Sequence, residues 1–130
     1  MKNIFFSTSK YLFYFSFITL LILYLFPGSL IGYFLHGNLA QQPDFISNPI
    51  GTSINHLVFF FYLGVLGFIF RNNQKKLINS FSFLFLISII LELLHYFIPN
   101  RAFELNDLYA NSLGVMLAFL IFKFLKKLQH

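Results

Sequence analysis

Hydrophobic residues in this chain form four long runs, separated by short segments that hold the turn residues and most of the charges. The runs cover about residues 8–26, 54–70, 77–98 and 107–125. A membrane hydrocarbon core of about 30 Å needs roughly 20 predominantly apolar helical residues, and each run is close to that length. The pattern therefore predicts an all-α, polytopic membrane protein, with four transmembrane helices bundled in one domain over residues 1–130.

The first run predicts a retained membrane anchor. It ends at Pro27-Gly28, no small-x-small cleavage site follows it, and further apolar runs do. These features distinguish it from a secretory signal peptide. The connector over residues 29–53 contains a short apolar segment, residues 30–35, that cannot span a bilayer. We expect this segment to lie at the membrane interface or to fold back on the bundle.

Capping and breaking residues predict the ends of the other three helices. Thr52 or Ser53 is suited to cap the second helix, because a hydroxyl oxygen can accept from the unpaired first amides. Pro99 is expected to end the third helix. Asn106 or Asp107 is expected to cap the fourth helix.

Composition excludes several classes of protein. The chain is 58% hydrophobic and 10% charged, whereas a soluble domain is about 25% charged. It has no cysteine, which excludes disulfides and thiol nucleophiles. The net charge of +5 does not indicate a nucleic-acid partner, because the basic residues lie in clusters between the apolar runs. We interpret the 21 phenylalanines as lipid-facing and inter-helix packing residues.

The basic residues predict the orientation in the cell membrane. With four spans, eight of the nine fall on one side: Lys2, Lys10, Arg71, Lys75, Lys76, Lys123, Lys126 and Lys127. Arg101 alone falls on the other side. By the positive-inside rule, both termini are cytoplasmic and the two longer connectors are outside.

The segment from Ile90 to Gly114 is the candidate site, because it holds three of the four acidic residues. Glu92 lies six residues before Ile98, about 9 Å below the predicted outer end of its helix. A charge that faces lipid costs about 2.5–3.5 kcal/mol, so Glu92 is expected to face the bundle and to find partners there. Helical spacing and depth predict that six side chains converge on one outward-facing pocket: His56, Glu92, His95, Arg101, Asp107 and Asn111.

Structural roles are the alternative for several of these residues. Asp107 can serve as the helix cap alone. Arg101 can pair with Glu104, with Asp107 or with a lipid phosphate. Gly64 and Gly114 are expected to be packing residues.

Two motifs resemble the signature of the VanZ-like membrane proteins: E-x-x-H-x-x-x-P-x-R over residues 92–101 and D-x-x-x-N-x-x-G over residues 107–114. The resemblance covers about residues 10–125 and implies a four-span protein of a family named for a member associated with glycopeptide (teicoplanin) resistance. This chain departs from the family pattern twice. The position of His95 is commonly Gln, and an Asp-Lys pair often precedes the histidine that matches His56, where this chain has Thr52 and Ser53.

The functional hypothesis is a pocket that binds an anionic lipid or cell-envelope intermediate, in an envelope-related role such as glycopeptide tolerance. In it, Arg101 contacts the anionic head, and four residues form the hydrogen-bonded base: Glu92, His56, Asn111 and Asp107. The first alternative is an intramembrane acid–base enzyme acting on a lipid-linked or phosphorylated substrate, with Glu92, His56 and His95 as its candidates. The second is a structural partner of another membrane protein.

A metal site is also a possibility for these residues, since His56, Glu92, His95 and Asp107 are ligand types that zinc accepts. The spacing in the sequence does not show that these residues come within coordination distance of one ion, and the position of His95 is commonly Gln in the family. We therefore expect no metal and no cofactor.

Overall fold

The computed structural model describes residues 2–42, 53–71 and 74–128, and within these ranges it contains five helices and no strand. They are α1 (Lys2–Leu25), α2 (Leu30–His36), α3 (Ser53–Phe70), α4 (Gln74–Leu94) and α5 (Leu105–Leu128). All but α2 are long and apolar enough to cross a membrane. The prediction of an all-α protein with four candidate spans is confirmed. Thr52, proposed as a cap, lies outside the described residues.

The four long helices alternate in direction. Phe5, near the start of α1, and Leu125, near the end of α5, line the same groove. At the opposite end of the bundle, Tyr24 of α1 contacts His56 of α3 and Asn111 of α5. The start of α1 and the end of α5 therefore lie at the same end of the bundle. Which end faces the cytoplasm stays a prediction from the basic residues.

Glycines allow α3 and α5 to approach closely along their most extensive contact. A Cβ atom on Gly114 would lie 2.5 Å from the Leu57 carbonyl oxygen and 2.9 Å from the Phe61 nitrogen. One on Gly64 would lie 2.7 Å from the Ala118 Cβ. Small residues permit this kind of helix contact within a bilayer. The packing role expected for Gly64 and Gly114 is confirmed.

The third span ends earlier than its sequence pattern predicts. Helix α4 stops at Leu94, and residues 95–97 form turns, so Pro99 is not its terminator. The amides of residues 95, 96 and 97 bond to the carbonyl oxygens three residues before them, which tightens the chain out of the helix. Glu92 is consequently two residues, about 3 Å, from the helix end rather than about 9 Å.

The predicted cap of α5 is also wrong, and of the two caps predicted for α3, Ser53 is excluded. Helix α5 begins at Leu105, and the Leu108 amide bonds to the Glu104 carbonyl, which places Glu104 at the N-cap. Asn106 and Asp107 therefore lie inside the first turn. Ser53 is likewise the first helical residue of α3, and its hydroxyl bonds to Asp107 instead of to an amide of its own helix.

The short apolar segment after the first span folds as α2. The Ser29 hydroxyl caps it by accepting from the Gly32 amide, and Gly37 ends it in a left-handed conformation. Its tip exposes aromatic and aliphatic side chains, among them Tyr33 and Phe34. Its first turn folds back on the bundle, where Ile31 lines a cleft with α1 and α3.

Candidate functional site: a buried polar cluster

Glu92 is the centre of a polar cluster at the end of the bundle where α1 and α4 finish and α3 and α5 begin. Its side chain is fully buried. Its Oε1 atom accepts from the Glu104 amide and lies 3.2 Å from His95 Nδ1. Its Oε2 atom accepts from Asn111 Nδ2 at 3.3 Å. The carboxyl group thus faces the bundle and has polar partners there, as its position in an apolar helix required.

Asn111 of α5 joins the cluster to α1, and its neighbours fix the orientation of its amide. Nδ2 lies 3.4 Å from the Ser88 carbonyl oxygen and 3.3 Å from a Glu92 carboxyl oxygen, both acceptors. Oδ1 must therefore point the other way, where it accepts from the Tyr24 hydroxyl at 2.8 Å.

His56 of α3 is oriented by this arrangement. Its Nδ1 atom lies 2.8 Å from the Tyr24 hydroxyl oxygen and 3.2 Å from Asn111 Oδ1. Because the Tyr24 proton already goes to Asn111, Nδ1 faces acceptors and carries a proton. The other ring nitrogen, Nε2, lies 3.6 Å from Asp107 Oδ2.

Asp107 of α5 is buried at the edge of the cluster, and its two carboxyl oxygens have different partners. Oδ1 accepts from the Ser53 hydroxyl at 2.5 Å. Oδ2 faces His56 Nε2 at a distance too long for a hydrogen bond. One end of the carboxyl group is thus held by α3, and the other is directed at the imidazole.

His95 links α4 to the end of α1. Its Nδ1 atom lies 3.2 Å from Glu92 Oε1, and its Nε2 atom lies 3.2 Å from the Tyr24 carbonyl oxygen. A neutral imidazole has only one N–H, so two oxygen partners require one further proton shared between His95 and Glu92. Both ring nitrogens are occupied, which makes His95 unsuitable as a metal ligand here.

Arg101 lies beside the cluster rather than within it. Its guanidinium donates to the carbonyl oxygens of Leu23 and Phe26, at the end of α1. These carbonyls have no partner in the helix, and a cation there also complements the helix dipole. Burial lowers the pKa of Arg101, whereas Tyr24 and Glu92 act in the opposite direction.

The alternative in which Arg101 pairs with Glu104 or Asp107 is wrong. The ion pairs found within 4.0 Å at this end of the described structure involve His56 or His95 instead. Burial, together with the negative charges of Asp107 and Glu92, raises the pKa of Glu104. Within the described residues, Arg101 thus forms no ion pair with Glu92, Glu104 or Asp107.

Two members of the cluster, Tyr24 and Ser53, are not among the site residues predicted from the sequence. The Tyr24 hydroxyl contacts both His56 and Asn111, and its ring stacks on His95 with centroids 5.5 Å apart. Its only signal in the sequence is a hydroxyl near the end of an otherwise apolar run. Ser53 was considered only as a cap.

A small cleft of about 100 Å³ leads from the bundle surface to the cluster, between α1, α2 and α3. Its walls are apolar, and its polar lining residues come from the cluster end of the bundle. The lining residues are Leu20, Leu23, Tyr24, Ile31, Asn55, His56 and Phe59.

Four helices able to span a membrane, packed around a buried polar cluster, define an α-helical polytopic membrane protein. The family model described as VanZ/LLP1 matches residues 3–126, and the chain belongs to this family. The resemblance seen in the two motifs is thereby confirmed. Comparison with curated proteins and with solved structures found no match.

Proposed function

We propose that this protein binds the headgroup of an anionic membrane amphiphile, such as an anionic lipid or a lipid-linked envelope intermediate, on the outer side of the cell membrane. The observation that carries the proposal is the cleft beside Tyr24 and His56. Its apolar walls suit the first methylenes of an acyl chain, and its polar end suits a headgroup.

The size of the cleft limits what enters it. Sites for whole drug-sized ligands have volumes of about 300–1,000 Å³, well above the roughly 100 Å³ found here. Only part of a headgroup and the first methylenes of an acyl chain fit, and the rest of each acyl chain stays in the bilayer. The surfaces of α1 and α3 are apolar enough to contact these acyl chains. Ile22 of α1 and Val58 of α3, for example, each expose more than half of their surface.

Arg101 supplies the positive charge in this proposal. It donates to the carbonyl oxygen of Leu23, which lines the cleft, and that bond and the one to Phe26 use two of its five N–H groups. The remaining donors suit a phosphate or carboxylate. A link to glycopeptide tolerance is part of the same proposal and is supported by the family alone.

The test is retention of phosphatidylglycerol compared with phosphatidylcholine by the purified full-length protein, measured by native mass spectrometry. A hydrogen bond to a charged group contributes about 1.5–3 kcal/mol, so Arg101→Gln should weaken phosphatidylglycerol binding by roughly 10–100-fold. Arg71→Gln, at the opposite end of the bundle, is the matched control and should bind as the unmodified protein does.

A second variant guards against a loss of folding in Arg101→Gln, since Arg101 also caps α1. Ile31→Phe would fill the cleft without removing a charge and should reduce binding of phosphatidylglycerol. Equal retention of both lipids by the unmodified protein, or unchanged binding in Ile31→Phe, would overturn the proposal.

A further inference from the structure

His56 and Asp107 form a pair of side chains. In each of them one polar atom is hydrogen-bonded to a neighbouring residue, and the second polar atom faces the partner side chain. Nδ1 of His56 is bonded to Tyr24, and Oδ1 of Asp107 is bonded to Ser53. The two remaining atoms, Nε2 and Oδ2, face each other across 3.6 Å. In a neutral ring with its proton on Nδ1, both of these atoms are lone-pair acceptors, so a cation is needed between them.

The distance between these two atoms suits a metal ion. Two ligand atoms each about 2.1 Å from a tetrahedral ion lie about 3.4 Å apart. The observed 3.6 Å is within a small adjustment of that value. A hydrogen bond between the same atoms would instead require them to approach to about 2.7–3.2 Å.

Glu92 completes a set of three ligands from three different helices. One ligand atom each from His56, Glu92 and Asp107 lies within 4.8 Å of the others. Glu92 approaches the imidazole at 3.8 Å, from Oε2 to Nδ1, so coordination through Nε2 requires the Glu92 side chain to adjust. Glu92 and Asp107 are buried, and the His56 side chain is 11% exposed. The proton shared between His95 and Glu92 offsets one carboxylate charge, and Arg101 forms no ion pair with Asp107, which carries the other. A cation between Nε2 and Oδ2 would offset the Asp107 charge in a region where unpaired charge is costly.

The hydrogen bonds around the three residues follow the arrangement usual around metal ligands. A ligating histidine usually donates its other N–H to an oxygen partner, and ligating carboxylates are themselves hydrogen-bonded. Here the hydrogen-bond partner of His56 is Tyr24. The partner of Asp107 is Ser53, and the partner of Glu92 is Asn111.

We infer that His56, Asp107 and Glu92 bind a divalent transition-metal ion, with Zn²⁺ as the best match. An imidazole and two carboxylates suit Zn²⁺, whereas Mg²⁺ prefers oxygen ligands and retains several waters. Three protein ligands leave a fourth position open for water or a ligand oxygen. This inference departs from the sequence expectation of no metal, and it does not depend on the cleft binding a lipid.

The test uses full-length protein in detergent, without a histidine tag, stripped by a chelator and titrated with Zn²⁺. Calorimetry gives the affinity, and elemental mass spectrometry after desalting gives the stoichiometry. We expect one Zn²⁺ per chain, not displaced by millimolar Mg²⁺. Asp107→Asn removes a ligand charge and should abolish binding. His36→Gln, an exposed histidine on α2, is the matched control and should leave binding unchanged.

Tyr24→Phe provides a test that keeps all three ligands. It removes the hydroxyl that fixes the His56 ring, and loss of such a partner typically weakens metal binding about 10–100-fold. If the unmodified protein binds no Zn²⁺ at micromolar concentration, a proton bridges His56 and Asp107 and the inference is wrong. Zn²⁺ binding that is unaffected by both Asp107→Asn and Tyr24→Phe would place the ion elsewhere and would also overturn it.

Discussion

The two halves of the bundle are made from the same four helices but are specified by different forces. At the polar end, Tyr24, His56, Glu92 and Asn111 are connected by contacts of 2.8–3.3 Å between individual polar atoms. In the other half, which we call the apolar half, the core side chains pack mainly through apolar contacts, and the Ser16 and Tyr62 hydroxyls form a hydrogen bond of 3.2 Å at its surface. Its main residues are Phe13, Phe68, Leu77, Phe81, Leu84 and Phe119.

The difference between the halves determines what each can tolerate. A hydrogen-bonded cluster assigns a partner to each donor and acceptor, so one substitution leaves several atoms without partners. Apolar packing is satisfied by shape and volume, and other side chains can fill the same space. Lipid is as apolar as leucine, so apolar contacts alone only weakly select one helix arrangement over another. The polar end is therefore expected to set how the four helices align.

Removing the central carboxyl group should have the largest effect. Glu92→Leu leaves Asn111 Nδ2, the Glu104 amide and the His95 ring without their acceptor. Breaking one partner of a buried charged set costs about 3–5 kcal/mol. The free energy of unfolding, measured by circular dichroism in mixed micelles with increasing dodecyl sulfate, should fall by that amount.

The control for this prediction is Leu93→Ala, the next residue on α4, which exposes 44% of its surface toward lipid. Substitutions at exposed positions usually change stability by less than about 0.5 kcal/mol. If Glu92→Leu and Leu93→Ala unfold at the same concentration of dodecyl sulfate, the cluster does not determine the stability of the bundle.

Two glycine substitutions, one near the polar cluster and one in the apolar half, compare how tightly the helices pack in the two halves. In Gly114→Ala the new Cβ would meet backbone atoms of α3 at 2.5 and 2.9 Å, so two helices must separate. In Gly67→Ala it would meet the ring edge of Phe13 at 3.0 Å, and a side chain can move. The helix-propensity gain of about 1 kcal/mol is common to both. Gly114→Ala should therefore be less stable than Gly67→Ala by about 1–3 kcal/mol, measured in the same unfolding assay.

Equal stabilities for the two glycine variants would contradict the close α3–α5 contact near the cluster. A further check is cross-linking between α3 and α5. Gly114→Ala should change the efficiency of a disulfide engineered between these helices, and Gly67→Ala should leave it unchanged.

The fold could be predicted well from the sequence because few backbone structures are stable within a bilayer. Runs of about 20 apolar residues indicate transmembrane helices whatever their detailed packing. The helix ends were predicted poorly, because they depend on contacts between helices. Helix α4 ends at Leu94 and not at Pro99, since the chain turns there to bring His95 against the end of α1. Asp107 lies inside α5 because its partner is Ser53 on another helix.

The polar cluster was partly predictable for a related reason. Charged residues are costly within apolar helices, so Glu92, His56 and Asn111 were visible as an exception to the pattern. Arg101 was predicted to lie in the pocket because of its charge. Its guanidinium instead bonds to main-chain carbonyl oxygens, and no sequence pattern identifies such partners. Tyr24 was missed because tyrosine is equally common at lipid-facing positions, as Tyr11 and Tyr14 of the same helix show.

The smallest effect is expected from a conservative exchange in the apolar half. Leu84 is fully buried, and one of its methyl carbons would lie 3.4 Å from a Cβ on Gly67. Leu84→Met keeps the volume and adds a flexible chain that adapts to its neighbours, so it should cost less than about 1.5 kcal/mol in the unfolding assay. A loss above 3 kcal/mol would equal the effect of Glu92→Leu. The apolar half would then be specified as strictly as the polar end, and the alignment of the helices could not be attributed to the cluster.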